Sequence, residues 1–247
     1  MRPAYRGSFL LMVLTLLGAL PAVTRAEEEG WIDLTASNSL EAFKAPTGAW
    51  EYVGGIGLDP ENPKRFRVEP GTGILYNGPR GRTTNLVTKE NFGDVEVSLE
   101  FMVPKGSNAG VKLEGVYEIQ IYDSYGVTKL KGSDCGGIYP RAELLPRYHH
   151  IDEGYPPRVN ACKPPGTWQT LDIVFRAPRF DADGKKTANA RFVKVVLNGQ
   201  IVQEDVELPS PTGNNWKKKE TPTGPILFQA DHGPIAFRNI RVRPLKD

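Results

Sequence analysis

The chain has 247 residues, and 31 Lys and Arg stand against 29 Asp and Glu, a formal charge of +2. Removing a leader that holds Arg2, Arg6 and Arg25 leaves 28 basic against 29 acidic residues, a formal charge of −1. A balance so close to neutral gives no electrostatic footprint for nucleic acid or an anionic membrane surface, and neither is expected as a partner.

From the N-terminus, Arg2 and Arg6 precede the apolar run "FLLMVLTLLGAL" at 9–20, which stops at Pro21 and gives way through "AVTRA" to Glu27, Glu28 and Glu29. Basic, apolar, small and then polar is the layout of a secretory signal peptide, and the run is short for a bilayer span. Residues 1–26 are therefore expected to be a leader and residues 27–247 one exported domain, periplasmic or extracellular. Such a length can bury a core of its own. No cysteine lies near the cut, which argues against a lipid anchor.

The segment "NSLEAFKAP" at 38–46 is the best candidate for a short helix, with an Asn or Ser cap and a stop before Pro46. Strands dominate from there on. In "DVEVSLEFMVP" at 94–104, Val95, Val97, Leu99, Phe101 and Val103 share one face, while Glu96, Ser98 and Glu100 take the other. "NAGVKLEG" at 108–115 turns Ala109, Val111 and Leu113 inward. "YEIQIYD" at 117–123 turns in Tyr117, Ile119 and Ile121 and leaves Glu118, Gln120 and Tyr122 on the opposite surface. Further strands follow at 168–178, 190–208, 225–231 and 235–245, and Asn198-Gly199 supplies the positive-φ pair of a tight hairpin turn. Short strands with little helix and 26 Gly and 21 Pro spread between them point to an all-β sandwich or jelly roll.

The face carrying Glu118, Gln120 and Tyr122 has the equipment of a sugar site, since hydroxyls need fixed donors and acceptors and a sugar's C–H face stacks on a ring. An ordinary solvated strand face would show the same residues. Near the C-terminus, His232 follows Asp231 and could be a base oriented by that carboxylate, or a histidine capping a turn. Arg238 could act on a reacting oxygen or simply pair with an acid on a neighbouring strand. The irregular segment 146–166 holds His149, His150, Asp152 and Glu153, but adjacent histidines on extended chain point apart and no full ligand set can be named, so no metal is expected. Cys135 and Cys162 in an exported chain read as one disulfide, with two buried thiols as the alternative. The "WKKKE" run at 216–220 reads as a solvated loop. Motifs for a serine hydrolase elbow, a P-loop or a zinc protease are missing.

The blocks "SNAGVKLEGVYEIQIYDSYG" (107–126), "CGGIYP" (135–140), "KPPGTWQTLDIVF" (163–175), "VVLNGQIV" (195–202) and "GPILFQADHGPIAFRNIRVRPL" (224–245) occur in this order. Together they resemble the 3-keto-disaccharide hydrolase domain family over roughly residues 31–245. The resemblance implies a concanavalin-like jelly-roll β-sandwich of two antiparallel sheets. It also implies cleavage of glycosides already oxidised to a ketone at C3, with no cofactor and a carbohydrate or glycoside as substrate. Positions matching the family's motifs are Asn108, Glu118, Gln120, Asp123, Tyr139, Trp168, Gln229, His232 and Arg238. Among these Glu118 or His232 is expected as base and Arg238 or Gln120 as partner of the developing oxyanion. Asn108, Tyr122, Asp123, Tyr139, Gln229 and a stacking Trp168 are expected around the sugar. Two other readings remain: a carbohydrate-binding module of the same fold, and a glycosidase using Glu118 with Asp123 or Glu114. Strand parity weakens the pair with Asp123, because positions an odd number apart face opposite ways.

Overall fold

A computed structural model describes residues 30–246; the expected leader, residues 1–26, lies outside the described residues. In chain order the strands are β1 (Ile32–Asp33), β2 (Glu51–Leu58), β3 (Phe66–Tyr76), β4 (Leu86–Phe92), β5 (Val95–Met102), β6 (Asn108–Leu113), β7 (Tyr117–Tyr122) and β8 (Ala142–Glu143). They continue with β9 (His149–His150), β10 (Gln169–Arg176), β11 (Arg179–Phe180), β12 (Lys186–Ala188), β13 (Ala190–Leu197), β14 (Gln200–Leu208), β15 (Gly224–Phe228) and β16 (Ala236–Pro244). One large sheet runs β14-β13-β10-β5-β16-β3-β2 with β1 beside β16, the facing sheet runs β4-β15-β6-β7, and β8-β9 and β11-β12 form two small ribbons. Every strand pairing is antiparallel.

The alternation seen in the sequence sorts the residues between the sheets. From β5 come Val97, Leu99 and Phe101, from β10 Leu171, Ile173 and Phe175, and from β7 Tyr117, Ile119 and Ile121, all within a single cluster of buried side chains. Aromatic rings cross-brace it: Phe228 meets Phe237 edge-on at 5.5 Å and Phe175 lies 5.4 Å from Tyr117. Such pairs add about 0.5–1.5 kcal/mol beyond their buried area. This is the expected all-β jelly-roll sandwich. The hairpin β13–β14 turns on Asn198 and Gly199, with φ of 52° and 80°, as the Asn-Gly pair requires.

Residues 38–46 form no helix. Phe43 pairs with Thr88, and the chain exchanges hydrogen bonds with β4 through Lys44 N to Val87 O and Lys89 N to Ala42 O. The spacing of Leu40 and Phe43 that suits a helix also suits a tight turn that drops Phe43 into the core, where it is 2 % exposed. Alternation is poor in β2, β3 and β4, where glycine and charge interrupt the pattern, and the sequence reading passed over all three.

The expected disulfide is not formed. Cys135 and Cys162 are free thiols, both buried and hydrogen-bonded to each other. Contact with Cys162 and burial together push the Cys135 thiol well up. The loop they share is pinned instead by Asn160, whose Nδ2 donates to Ser124 O and Val127 O, and by Cys135 N donating to Ser124 Oγ.

Candidate active site

Strand β7 is buried on both faces, which a half-solvated strand would not be. Its core face holds Ile119 and Ile121; its other face holds Glu118 and Gln120, 3 % and 2 % exposed. The cover comes from loops. Residues 136–139 line the open edge of β7, with Tyr139 N donating to Glu118 O and Gln120 N to Gly137 O. Behind them Thr212 Oγ1 accepts from Glu118 N, and Gly213 bonds to Pro140 and Ala142.

Covering the strand creates a hollow of about 620 Å³ over the outer face of β6, β7 and β15. Of the expected site residues, Asn108, Glu118, Gln120, Tyr139, Gln229 and His232 all line it. A second hollow of about 450 Å³ adjoins it and shares Asn108, Gln120 and Tyr139; Tyr122 lines this one.

Glu118 is the chemical centre. Burial raises its pKa, while Lys112 and, more weakly, His232 work against that rise. Lys112 Nζ lies 3.0 Å from Glu118 Oε2, because Lys112 and Glu118 are direct cross-strand partners. Space for the carboxylate comes from Gly110 on the same face of β6. A Cβ there would stand 2.5 Å from Glu118 Oε1. Lys112 was missed in the sequence reading, although the parity that put Val111 and Leu113 inward put Lys112 outward beside Gly110 and Asn108.

His232 Nδ1 lies 2.6 Å from Asp231 Oδ1 and 3.2 Å from Gln229 Nε2. In the shorter contact Nδ1 donates to the Asp231 carboxylate, which orients the ring and turns Nε2 away from it. The amides are half-used. Gln120 Nε2 donates one hydrogen to Asn108 Oδ1 at 3.2 Å and keeps its second, while Gln120 Oε1 and Gln229 Oε1 are buried with no protein partner. Buried acceptors are rarely left so. Two of them on one floor suit donors from a polyhydroxylated ligand.

Three expected site residues lie elsewhere. Arg238 sits on the outer face of the other sheet, donating from Nε and Nη2 to Glu100 Oε2 at 2.9 and 2.6 Å. Trp168 lies beneath it, with the guanidinium 4.1 Å from the ring centroid, and packs against the cluster of Val53, Ile74, Tyr76, Met102 and Ala236. The family resemblance placed both at the site, but they lie on the other sheet, where the contacts they make are structural. Asp123 Oδ2 accepts from Gly106 N and closes the turn before β6. Nor does Glu114 join Glu118. It occupies the β6–β7 turn, where burial and the charges of Glu220 and Asp94 push its pKa to about 8.

The remaining surprises come from loops. Tyr148 and Lys218 line the larger hollow, the latter from the run read as solvated, and Lys217 next to it pairs with Glu143. Among the described residues no group of three or more His, Cys, Asp and Glu side chains converges for a metal.

Similarity to known proteins accords with this geometry. No curated protein sequence matches the chain. Two crystal structures from Parabacteroides distasonis ATCC 8503, provisionally classed as glycosyl hydrolases, share the fold. One is 24% identical with a TM-score of 0.62 over 88% of this chain and 84% of that one. The other is 22% identical with a TM-score of 0.53 over 87% and 99%. The sequence pattern of the 3-keto-alpha-glucoside-1,2-lyase-like domain matches residues 30–243. The chain thus belongs to that family, whose class is carbohydrate-processing enzymes.

Proposed function

We propose that the protein is an exported enzyme that cleaves glycosides whose sugar carries a ketone at C3, by removing the C2 proton and expelling the C1 substituent. The observation that supports this most is the buried carboxylate of Glu118, held 3.0 Å from Lys112 on a floor of amides, while the hollow's other carboxylate, Asp231, is taken up by His232. A C3 ketone acidifies the hydrogen on C2, so one general base suffices, whereas an ordinary glycoside needs two carboxylates flanking the bond.

Glu118 takes the proton from C2, and the C–H electron pair moves to the ketone oxygen as an enolate. Glu118 becomes neutral in that step, and Lys112 is left to face the new oxyanion. Negative charge moves within reach of a cation that is already in place, which is how a preorganised site lowers a barrier. The enolate then collapses: C3=O re-forms, C1=C2 forms, and the C1–O pair leaves on the departing oxygen. Water adding across the enone completes net hydrolysis, and His232, its ring oriented by Asp231, is the base available to that water. Asn108, Gln120 and Gln229 hold the sugar hydroxyls.

The test compares a 3-keto disaccharide with its unoxidised parent, following release of monosaccharides by the protein without residues 1–26. Cleavage of the ketone alone is expected. Cleavage of both would favour the two-carboxylate reading, and binding without cleavage would leave a carbohydrate-binding module.

A further inference from the structure

Expulsion of a sugar or alcohol from C1 leaves an oxygen that needs a proton, and the protonated Glu118 lies on the C2 side of the bond. Tyr139 can supply it. Its ring lines both the larger and the smaller hollow, where Asn108 and Gln120 also stand. A glycoside lying across the two hollows has its scissile bond at that shared wall. The Glu118 carboxylate reaches the same point: a Cβ built on Gly213 would lie 3.9 Å from Tyr139 Cδ1 and 4.0 Å from Glu118 Oε2.

The Tyr139 hydroxyl is also built into a chain of its own. Tyr148 Oη donates to Tyr139 Oη at 3.0 Å, and His150 Nε2 lies 3.1 Å from that same oxygen. The His150 ring meets both tyrosines edge-on, 5.2 Å from Tyr139 and 5.7 Å from Tyr148. Adjacent His149 turns the other way, its Nδ1 against Arg147 O. The strand pair β8–β9 presents this histidine, since Ala142 pairs with His150 and Glu143 with His149. Arg141 Nε bonds Asp152 Oδ2 at 2.5 Å and anchors the ribbon. Partial burial of the ring keeps the His150 imidazole below its ordinary pKa despite Asp152, so it is neutral, and as the Nε2–H tautomer it donates to the Tyr139 oxygen and leaves the phenol proton free. Burial and Tyr148 hold the Tyr139 proton on well above the ordinary phenol range.

Building on the elimination reading, we infer that Tyr139 is the catalytic acid that protonates the departing oxygen, with Tyr148 and His150 as its positioning residues. As the C1–O bond breaks, its electron pair stays on the leaving oxygen, which takes the Tyr139 hydroxyl proton. Tyr148 donates to the phenolate that forms. Solvent returns a proton through His150, which is exposed, while Glu118 gives the C2 proton back to solvent, so charge balances over one turnover. This assigns the histidine-bearing segment to proton delivery.

The test is leaving-group dependence. Two 3-keto glucosides are compared, one bearing 4-nitrophenol, which departs without help, and one bearing methanol, which does not. Tyr139→Phe is expected to lower kcat/KM on the methyl glycoside by about 10²–10³-fold and on the nitrophenyl glycoside by under about tenfold, in line with the usual worth of general acid catalysis. His150→Phe should show the same asymmetry in weaker form, and His150→Gln, which keeps an N–H donor, should recover most of it. Equal losses on both substrates, or no loss, would overturn the acid role while leaving the elimination reading intact. Should the unaltered protein cleave neither substrate, the elimination reading itself falls and the acid with it. Melting temperatures separate misfolding from chemistry, and Tyr148→Phe supplies a milder variant with the same expected asymmetry.

Discussion

On the outer face of the eight-stranded sheet, Glu100 receives Arg238, Glu96 receives Arg243, and the side chains of all four are one-fifth to one-third exposed. On the outer face of the four-stranded sheet, Glu118 and Gln120 are almost fully buried, Glu118 faces Lys112, and two glutamine oxygens have no partner. Both faces read alike in sequence: an aliphatic inward set alternating with acids, amides and cations. What separates them is cover. The first is open to water, which screens its charges. Loops 136–139 and 212–213 close the edge of the second, so its carboxylate is desolvated and its acceptors wait for a ligand. Residue type tells less about chemistry than the water that has been removed from around it.

The sharpest break of that comparison exchanges one oxygen for nitrogen on each face. Glu118→Gln is expected to lower kcat/KM on a 3-keto glycoside by about 10³-fold, the worth of a general base. Glu100→Gln should leave turnover unchanged. Melting temperatures check that neither variant unfolds. Equal activity in both variants would remove Glu118 from the base role.

Gly110→Ala tests the same contrast without touching a charged group. Its φ is not positive, so alanine costs no backbone strain, but the new Cβ would stand 2.5 Å from Glu118 Oε1 and push the carboxylate aside. Displacement of a reacting group by about 1 Å costs roughly 10² in rate. A steady-state assay should find that loss with the melting temperature little changed.

Lys112→Met sharpens the electrostatic half of the argument. Lys112 lowers the Glu118 pKa against the rise from burial. Without that cation the carboxylate is harder to ionise, so its pKa rises further. The base is active only when ionised, and the acid limb of the kcat/KM profile should therefore move to higher pH, by about one unit or more. A profile that stays in place would mean that another group titrates in that limb.

Much of this architecture is legible from alternation alone. β5, β6, β7 and β10 carry unbroken inward sets, whereas β16 changes phase at a bulge between Arg238 and Arg241, and the Asn198-Gly199 turn declares itself because few other residues tolerate its φ. β3 is not legible: seven consecutive exposed residues, including Gly71 and Gly73, precede its three buried ones. At the site, parity finds Glu118 and Gln120, and would have found Lys112 had β6 and β7 been laid side by side. Parity cannot say which sheet an outward residue belongs to, and a motif match fixes a place in the chain but not in space, so Arg238 and Trp168 fall outside the expected site. Tyr148 and His150 depend on how an irregular segment folds back, a long-range event with no local signature.

The smallest expected effect belongs to the open face. Arg238 holds Glu100 with two hydrogen bonds and lies 4.1 Å above the Trp168 ring, so Arg238→Ala removes an ion pair and a cation–π contact together. Exposed ion pairs are worth about 0.2–1 kcal/mol, and exposed cation–π contacts about 0.5–1 kcal/mol. The two share one side chain and do not simply add. A stability loss of about 1 kcal/mol is expected by denaturant titration, smaller in high salt, which weakens the ion pair but not the packing on Trp168. Turnover of a 3-keto glycoside should be unchanged. A large loss of activity with full stability would show that this face reaches the chemistry after all, and that cover is not what separates the two.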